Sequence, residues 1–489
     1  MEKSSMFQYL YNGILSQIRA GRYIYGSSLP SAAELCRIYN VGIRTARDVL
    51  KALRDDGYIR TEERRRATVI HGTEDAGNEA NLRETLARRN CMSEVYNAME
   101  LLMTPLLIFC AQQCGDDELL AVDAGAKKMA RLSWIERWRL SSQLLHTILK
   151  KADNPLFNDL YSSLELYAKI PFFEGYRHPF EIAADEAEHN FRWRIEPLVR
   201  RNYHEADRRL RSMYSSVRSY VEGYLQLLAE DGCAVCPPEQ EKFRWDAAKG
   251  KVYLYAEIVR DITHEISLGR WRDGCFLPAS KELAAHYGVS LYVVRQALKM
   301  LEGRGFIVIR NGRRAQVSLA SVGADIRRFS EPEQKRDIWV YLNALQLMTV
   351  LFPHAARLAA DRFTEEQRLY LRESLDKNGV AVIRSFVECV FEALPSETLR
   401  TIFKEINGLL LWGEHLMYQP GASDRIAALA RLCRQALSAL DRGDNVSFAG
   451  LLNEIFIHVL LRMKKFAASA GMPEVRKIKV PASTAAGSE

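Results

Sequence analysis

The chain has 489 residues, 48% of them hydrophobic and 26% charged, with a formal net charge of +7. That is the composition of a soluble globular protein long enough for several domains, and the charge is too mild to indicate nucleic acid by itself. Its 9 cysteines are odd in number and scattered, which does not suggest a disulfide framework and suits a reducing cytoplasm.

The N-terminal MEKSSMFQYLYNG lacks the basic start, apolar run and small-residue cleavage site of a signal peptide, so a cytoplasmic protein is expected. Phe7, Leu10, Ile14 and Ile18 then fall at helical spacing, and Gly21 ends the run. Leu29-Pro30 opens a second helix, with Ser31 and Glu34 placed as a capping box. After a turn at Asn40-Val41-Gly42, a third helix runs from about Ile43 to Gly57. Ala46, Val49, Leu50 and Leu53 make its buried stripe, and Arg44, Thr45, Arg47 and Lys51 fall on the other faces. The β-rich Tyr58-Ile59 and Thr68-Val69-Ile70 flank a charged stretch ending in Arg64-Arg65-Arg66, a hairpin with a basic tip. Three helices and a hairpin make a winged helix-turn-helix.

Polar, Gly-, Glu- and Arg-rich sequence from 73 to 92 reads as a linker, and 93–232 as an all-helical domain. Cys233 and Cys236 have C-x-x-C spacing, but no second pair lies near, so a loop with two free thiols is the expectation over a zinc or redox centre. An enzyme built on these cysteines and His204 lacks a base–nucleophile pattern. After a second linker (233–250) the first module returns. At an offset of 248, with no gap, Phe7–Ile70 aligns with Tyr255–Ser318. Leu29-Pro30, Glu34-Leu35, Arg47, Leu50-Lys51, Leu53 and Gly57 recur as Leu277-Pro278, Glu282-Leu283, Arg295, Leu298-Lys299, Leu301 and Gly305. The wing returns as Phe306 to Ile309, an Asn311-Gly312 turn, Arg313-Arg314 and Val317. From Lys251 to Ser318, eleven Lys and Arg stand against six Asp and Glu. VYNAMELLMT from Val95 recurs as VYLNALQLMT from Val340, so the helical domain is duplicated too. The uncharged stretch from Ile338 to Ala356 carries Asn343, Gln346, Pro353 and His354, and reads as a buried core helix, not a membrane span.

These residues resemble the GntR family of bacterial regulators, whose module reads approximately L-P-S-E-R-E-L, then G-V-S-R-T-T-V-R-E-A-L-R-x-L-E-x-x-G, then a Gly-rich basic wing. The resemblance implies DNA contacts from Arg44, Thr45, Arg47, Arg64, Arg65 and Arg66 in the first module. In the second it implies Lys281, Ser290, Tyr292, Arg295, Arg313 and Arg314. The chain departs from the pattern at Ala33, at Ile43 and Leu291 in place of the helix 3 arginine, and in the first wing. The helical domains look like the FCD type of the FadR subfamily, many of which hold a metal through one Asp and three His. The matching positions are Ser142, His146, Arg192 and Tyr214 in the first half, and Ser385, Cys389, Cys433 and Ile455 in the second. One His cannot make a three- or four-ligand site, so no metal and no other cofactor is expected. His146, Arg192 and Tyr214 are instead candidates to bind a small organic acid, the alternative being a satisfied core histidine.

The expected fold is therefore mainly α: a module at 1–72 and another at 251–320, each with three helices and a β-hairpin wing, each followed by an all-α helical-bundle effector domain. The second effector domain is set at 336–470, after a linker at 321–335 and before a tail at 471–489. The expected function is a ligand-responsive repressor, not an enzyme, that binds double-stranded DNA and no membrane. One chain supplies two readers, so an intramolecular pseudo-dimer is expected, a homodimer being its rival. The competing readings are a regulator with one working reader and a winged-helix scaffold for proteins.

Overall fold

Apolar residues spaced for one helical face dictate each winged-helix module, and the computed structural model forms the same elements twice. It describes residues 6–19, 23, 26–39, 41–62, 65–70, 77–173, 175–185, 190–232, 242–248, 254–267, 269–310, 313–319, 332–375, 380–413 and 422–481. The first module has helices α1 (Met6–Arg19), α2 (Ala32–Tyr39) and α3 (Ile43–Asp55), then strands β1 (Ile59–Arg60) and β2 (Thr68–Val69). Leu10, Ile14, Ile18, Leu35, Ala46, Val49, Leu53, Ile59 and Val69 close its core. The antiparallel wing pairs Ile59 with Val69, and Ser28 bridges to Thr68 as a third short strand. Ser31 and Glu34 form the expected capping box: the Ser31 N–H donates to Glu34 Oε2 at 2.8 Å, and the Glu34 N–H donates to Ser31 Oγ at 3.3 Å. Gly57, at φ +79°, takes the left-handed conformation that ends α3, and the Tyr58 N–H reaches back to the Leu53 carbonyl at 2.9 Å.

Among the described residues the α-helices that follow are α4 (Gly77–Ala87), α5 (Arg89–Ala111), α6 (Asp116–Lys128), α7 (Trp134–Leu149), α8 (Pro155–Tyr167), α9 (Pro179–Asp185), α10 (Phe191–Val199) and α11 (Tyr203–Gly232). Helix α5 is apolar on nearly every face and lies between α11, α7 and α8. Two stretches expected as linkers carry structure. Most of 73–92 is helical, because Thr85, Leu86 and Ala87 bury a face of α4, which packs on α11 and α5. Residues 242–248 are a strap: Phe243, Trp245 and Ala247 are buried, Phe243 meets the Tyr167 ring at 5.0 Å, and the Trp245 indole N–H donates to Asp159 at 3.0 Å.

In the second half α12 (Leu254–Ser267), α13 (Ser280–Tyr287), α14 (Leu291–Gly303), β3 (Ile307–Val308) and β4 (Gln316–Val317) repeat every bound of the first module 248 residues on. Even the bridge recurs, as Phe276 to Gln316. The helix 2 cap differs: Glu282 accepts from the Ala279 N–H at 2.8 Å, but Ala279 has no hydroxyl to return the bond. Among the described residues the α-helices α15 (Pro332–Ala360), α16 (Glu365–Ser374), α17 (Val380–Ala393), α18 (Glu397–Leu410), α19 (Ala422–Asp441) and α20 (Asn445–Ser469) then follow. The expected tail begins as structure: Pro473–Lys477 is a 3-10 turn, and Met472, Val475 and Ile478 are buried. Its anchor is Gln346, whose amide donates to the Lys479 carbonyl at 2.8 Å.

The chain divides into two compact units, Met1–Lys251 with Ser396–Thr401, and Val252–Pro395 with Ile402–Glu489. Among the described residues three helical stretches, Arg89–Ala111, Gln334–Ala360 and Asn445–Ser469, are long and apolar enough to cross a membrane, and each is more than half buried inside the fold.

Candidate nucleic-acid interface

In each module the buried stripe of the third helix turns the charged residues outward. Arg44, Arg47 and Lys51 are exposed on α3, and Thr45 is half-buried. On α14, Tyr292, Arg295 and Lys299 are exposed, and Lys281 is exposed on α13. Among the described residues none of these six cations has an ion-pair or hydrogen-bond partner. Ser290 caps α14, its hydroxyl accepting from the Val293 N–H at 3.4 Å, whereas Gly42 starts α3 with no side-chain cap.

The two wings differ. In the first, Arg65 pairs with Glu62 at 3.1 Å and Arg66 with Glu34 at 2.9 Å, while Arg64 lies outside the described residues. In the second, Arg310, Arg313 and Arg314 are exposed with no side-chain partner among the described residues, and the Asn311-Gly312 turn lies outside them. Exposed pairs such as those of Arg65 and Arg66 are worth roughly 0–1 kcal/mol, so they yield readily to a stronger anion. Lys299 and Arg310 are further exposed cations of the second module that stood apart from the family's contact positions. Their signal in the sequence was position alone, one turn along α14 from Arg295 and at the base of the wing.

The first helical domain has a polar centre. Ser142 Oγ donates to Glu165 Oε1 at 2.6 Å, and His146 Nε2 lies 2.8 Å from Glu165 Oε2. His146 Nδ1 lies 2.7 Å from Asn158 Oδ1, and the Tyr161 ring stands 4.8 Å from the imidazole. Burial pushes the His146 pKa down, but the hydrogen bonds to Glu165 and Asn158 and the charge of Glu165 outweigh it, and the pKa is raised. Tyr214 is buried with no partner for its hydroxyl, and burial, then the charge of Glu165, raises its pKa. Arg192 turns away to Asp123, donating at 2.7 Å. Of the three residues offered to a ligand, the structure thus places His146 and Tyr214 around Glu165 and ties Arg192 elsewhere. Sequence reasoning missed Glu165, although Asn158, Tyr161 and Glu165 fall at helical spacing on α8.

Of the matching positions in the second domain, Cys389, Cys433 and Ile455 are buried in its apolar core, and the Ser385 hydroxyl donates to the Tyr370 hydroxyl at 3.2 Å. Phe352 meets Phe391, Phe403 and Phe456 at 6.3, 6.4 and 4.9 Å. Burial first, then Glu392 and Glu388, pushes the Cys389 thiol up to about 12, and burial pushes Cys433 there too. Among the described residues no three His, Cys, Asp or Glu side chains converge to hold a metal ion. Cys233 and Cys236 lie outside the described residues.

A family-wide profile described as "Bacterial regulatory proteins, gntR family" matches residues 8–69 and 254–317, the two winged-helix modules. The chain is 44% identical over 57 residues to the HTH-type transcriptional regulator TreR of Bacillus subtilis, covering 12% of this chain and 24% of TreR. It is 31% identical over 181 residues to the HTH-type transcriptional repressor NanR of Salmonella bongori (34% of this chain, 66% of NanR), and 30% identical over 129 residues to NanR of Klebsiella aerogenes (25% and 48%). It thus spans from about a quarter to just under two thirds of the length of these relatives. Among solved structures, E. coli McbR/YncC aligns at 19% identity and a TM-score of 0.26, over 44% of this chain and 98% of that one. Streptococcus agalactiae GntR aligns at 18% and 0.21, over 42% and 99%. With the profile falling on both copies of the repeated module, the chain carries the winged helix-turn-helix of the gntR family of bacterial regulatory proteins twice.

Proposed function

We propose that this protein is a cytoplasmic, sequence-specific DNA-binding transcriptional regulator, a ligand-responsive repressor that reads double-stranded DNA through both modules. The observation that carries the reading is the set of partner-free cations on each third helix, Arg44, Arg47 and Lys51 in one and Arg295 and Lys299 in the other. A helix fits a major groove about 12 Å wide, where a guanidinium pairs with guanine O6 and N7, and wing arginines meet phosphates. The names of the relatives, a transcriptional regulator and two repressors, support the regulatory part.

In this reading the segments 93–232 and 336–470 are FCD-like domains, and sensing belongs to the first. Its buried Tyr214 hydroxyl lacks a partner, which costs about 1–3 kcal/mol until something accepts from it, while the second domain fills its centre with phenylalanine rings. Glu165 already takes the hydrogen bonds of Ser142 and His146, so an organic acid effector must replace that carboxylate or bind Tyr214 beside it. Helix α8, which carries Asn158, Tyr161 and Glu165, packs against α1 of the first module and so joins the polar centre to a DNA reader.

The exposed apolar tip of α14, Leu291 and Tyr292, favours a second reading in which only the first module touches DNA. One experiment separates the two. Genome-wide mapping identifies bound DNA, and equilibrium binding of the full chain is then measured against salt. Affinity should fall log-linearly as salt rises, because phosphate contacts release counterions. Arg47→Ala and Arg295→Ala should each cost about 1–3 kcal/mol of specific binding, and Arg313→Ala should lower the salt slope by about one. A loss for Arg47→Ala alone would select the one-reader reading. Unchanged affinity for both helix variants, with the fold intact, would remove DNA recognition altogether.

A further inference from the structure

The two third helices present unlike chemistry at one matched position. Arg44 is the second residue of α3 and Tyr292 the second residue of α14. Tyr292 is 70% exposed, among the most exposed large apolar side chains of the described chain, and Leu291 beside it is 36% exposed. Val308 and Ile309 at the wing are exposed as well. The same module carries the exposed cations Lys281, Arg295, Lys299, Arg310 and Arg313, without partners among the described residues, which is the charge that suits DNA.

A guanidinium reads guanine through two parallel hydrogen bonds, and a phenol ring beside an isobutyl group cannot do so. Apolar side chains in the major groove instead contact the C5-methyl group of thymine, the one apolar feature on a base edge there. Covering exposed apolar surface is favourable in proportion to its area, so this tip gains where a methyl group meets it and gains little against the polar edge of guanine or cytosine. We propose that the second module selects thymine, through contact of Tyr292 and Leu291 with its C5-methyl group, at the position where the first module's Arg44 selects guanine. The two modules then demand unlike half-sites, and Tyr292 is the specificity-determining residue of the second. The inference rests on the DNA-binding reading above.

The test uses the full chain and duplexes selected from a randomised pool. In the selected sequence, each thymine is exchanged in turn for deoxyuridine, which lacks only the methyl group. The wild-type chain should lose about fourfold in affinity at one or two thymines of one half-site, the worth of a buried methyl group. Tyr292→Ala should reduce that loss, Tyr292→Ala combined with Leu291→Ala should abolish it, and Tyr292→Arg should shift selection to guanine at that position. Guanine at the matched position of both half-sites, deoxyuridine tolerated everywhere, or the same loss persisting in Tyr292→Ala would each overturn the assignment. So would a footprint of one half-site only, which is the outcome if the tip meets a protein. Absence of any salt-dependent binding would bring down the DNA reading itself, and this inference with it.

Discussion

His146 lies between Asn158 Oδ1 on one ring nitrogen and the Glu165 carboxylate on the other, a setting that favours the protonated ring. Its raised pKa fixes the sign of a pH effect. A group whose pKa is higher folded than unfolded adds stability that is complete below the unfolded value and vanishes as pH rises through the folded one. Thermal unfolding of the wild type should therefore lose a few degrees as pH climbs above the ordinary imidazole range. His146→Gln should be less stable at the acid end, and the gap should close as pH rises. A gap that widens with pH would mean a neutral ring and a different hydrogen-bond pattern. Glu165 could not be paired with His146 from spacing, since 19 residues separate them and only the packing of α7 on α8 joins them. Its place on one face of α8 was legible, and its partner was not.

Between elements, the second half contains a tie that the first does not repeat. Arg304, just past α14, donates to Asp337 of α15 at 3.4 Å, and both side chains are 9% exposed. Arg336 stands 3.6 Å from the same carboxylate, and the Arg260 guanidinium of α12 lies 4.5 Å above the Trp412 ring. Burial lowers the Arg260 pKa to about 10. At the matched positions the first half has Asn12, Asp56 and Met92, and Asp56 accepts a hydrogen bond from Tyr11 within its own module. The second module is therefore fixed to its helical domain by buried charge. Asp337→Ala should lower stability by about 3–5 kcal/mol by stranding the guanidinium of Arg304 in the interior, whereas Asp337→Leu with Arg304→Met should be near neutral. Denaturant midpoints of the full chain check this, and a small cost for Asp337→Ala would show that water reaches the pair. The same contrast explains what the sequence revealed. The module elements were legible to within a residue or two because the buried stripe and the left-handed glycines are local signals repeated twice. Helix α4 and the strap at 242–248 were hidden, because their polar composition reads as linker and only the partners they pack on decide otherwise.

For the whole molecule the duplication poses a question of stoichiometry. A helix-turn-helix protein engages two half-sites about 34–36 Å apart, one helical turn, and a chain with one reader must pair with a second copy to do so. Here one chain carries two modules whose helices, strand register and bridge recur in full, each followed by a helical domain. Duplicating reader and helical domain together keeps whatever surfaces the pairing used, so a single chain has the parts of a dimer. The two modules are not equal, since Arg44 stands where the other has Tyr292, and Arg65 and Arg66 of the first wing are paired where Arg313 and Arg314 of the second have no side-chain partner among the described residues. Unequal readers suit an asymmetric operator, and an asymmetric operator is most simply met by one chain in one orientation. Light scattering of the full chain, alone and on a short operator duplex, should then give one chain per duplex. Two chains per duplex, presenting four readers, would reject the single-chain pairing and leave the second module free to serve in assembly.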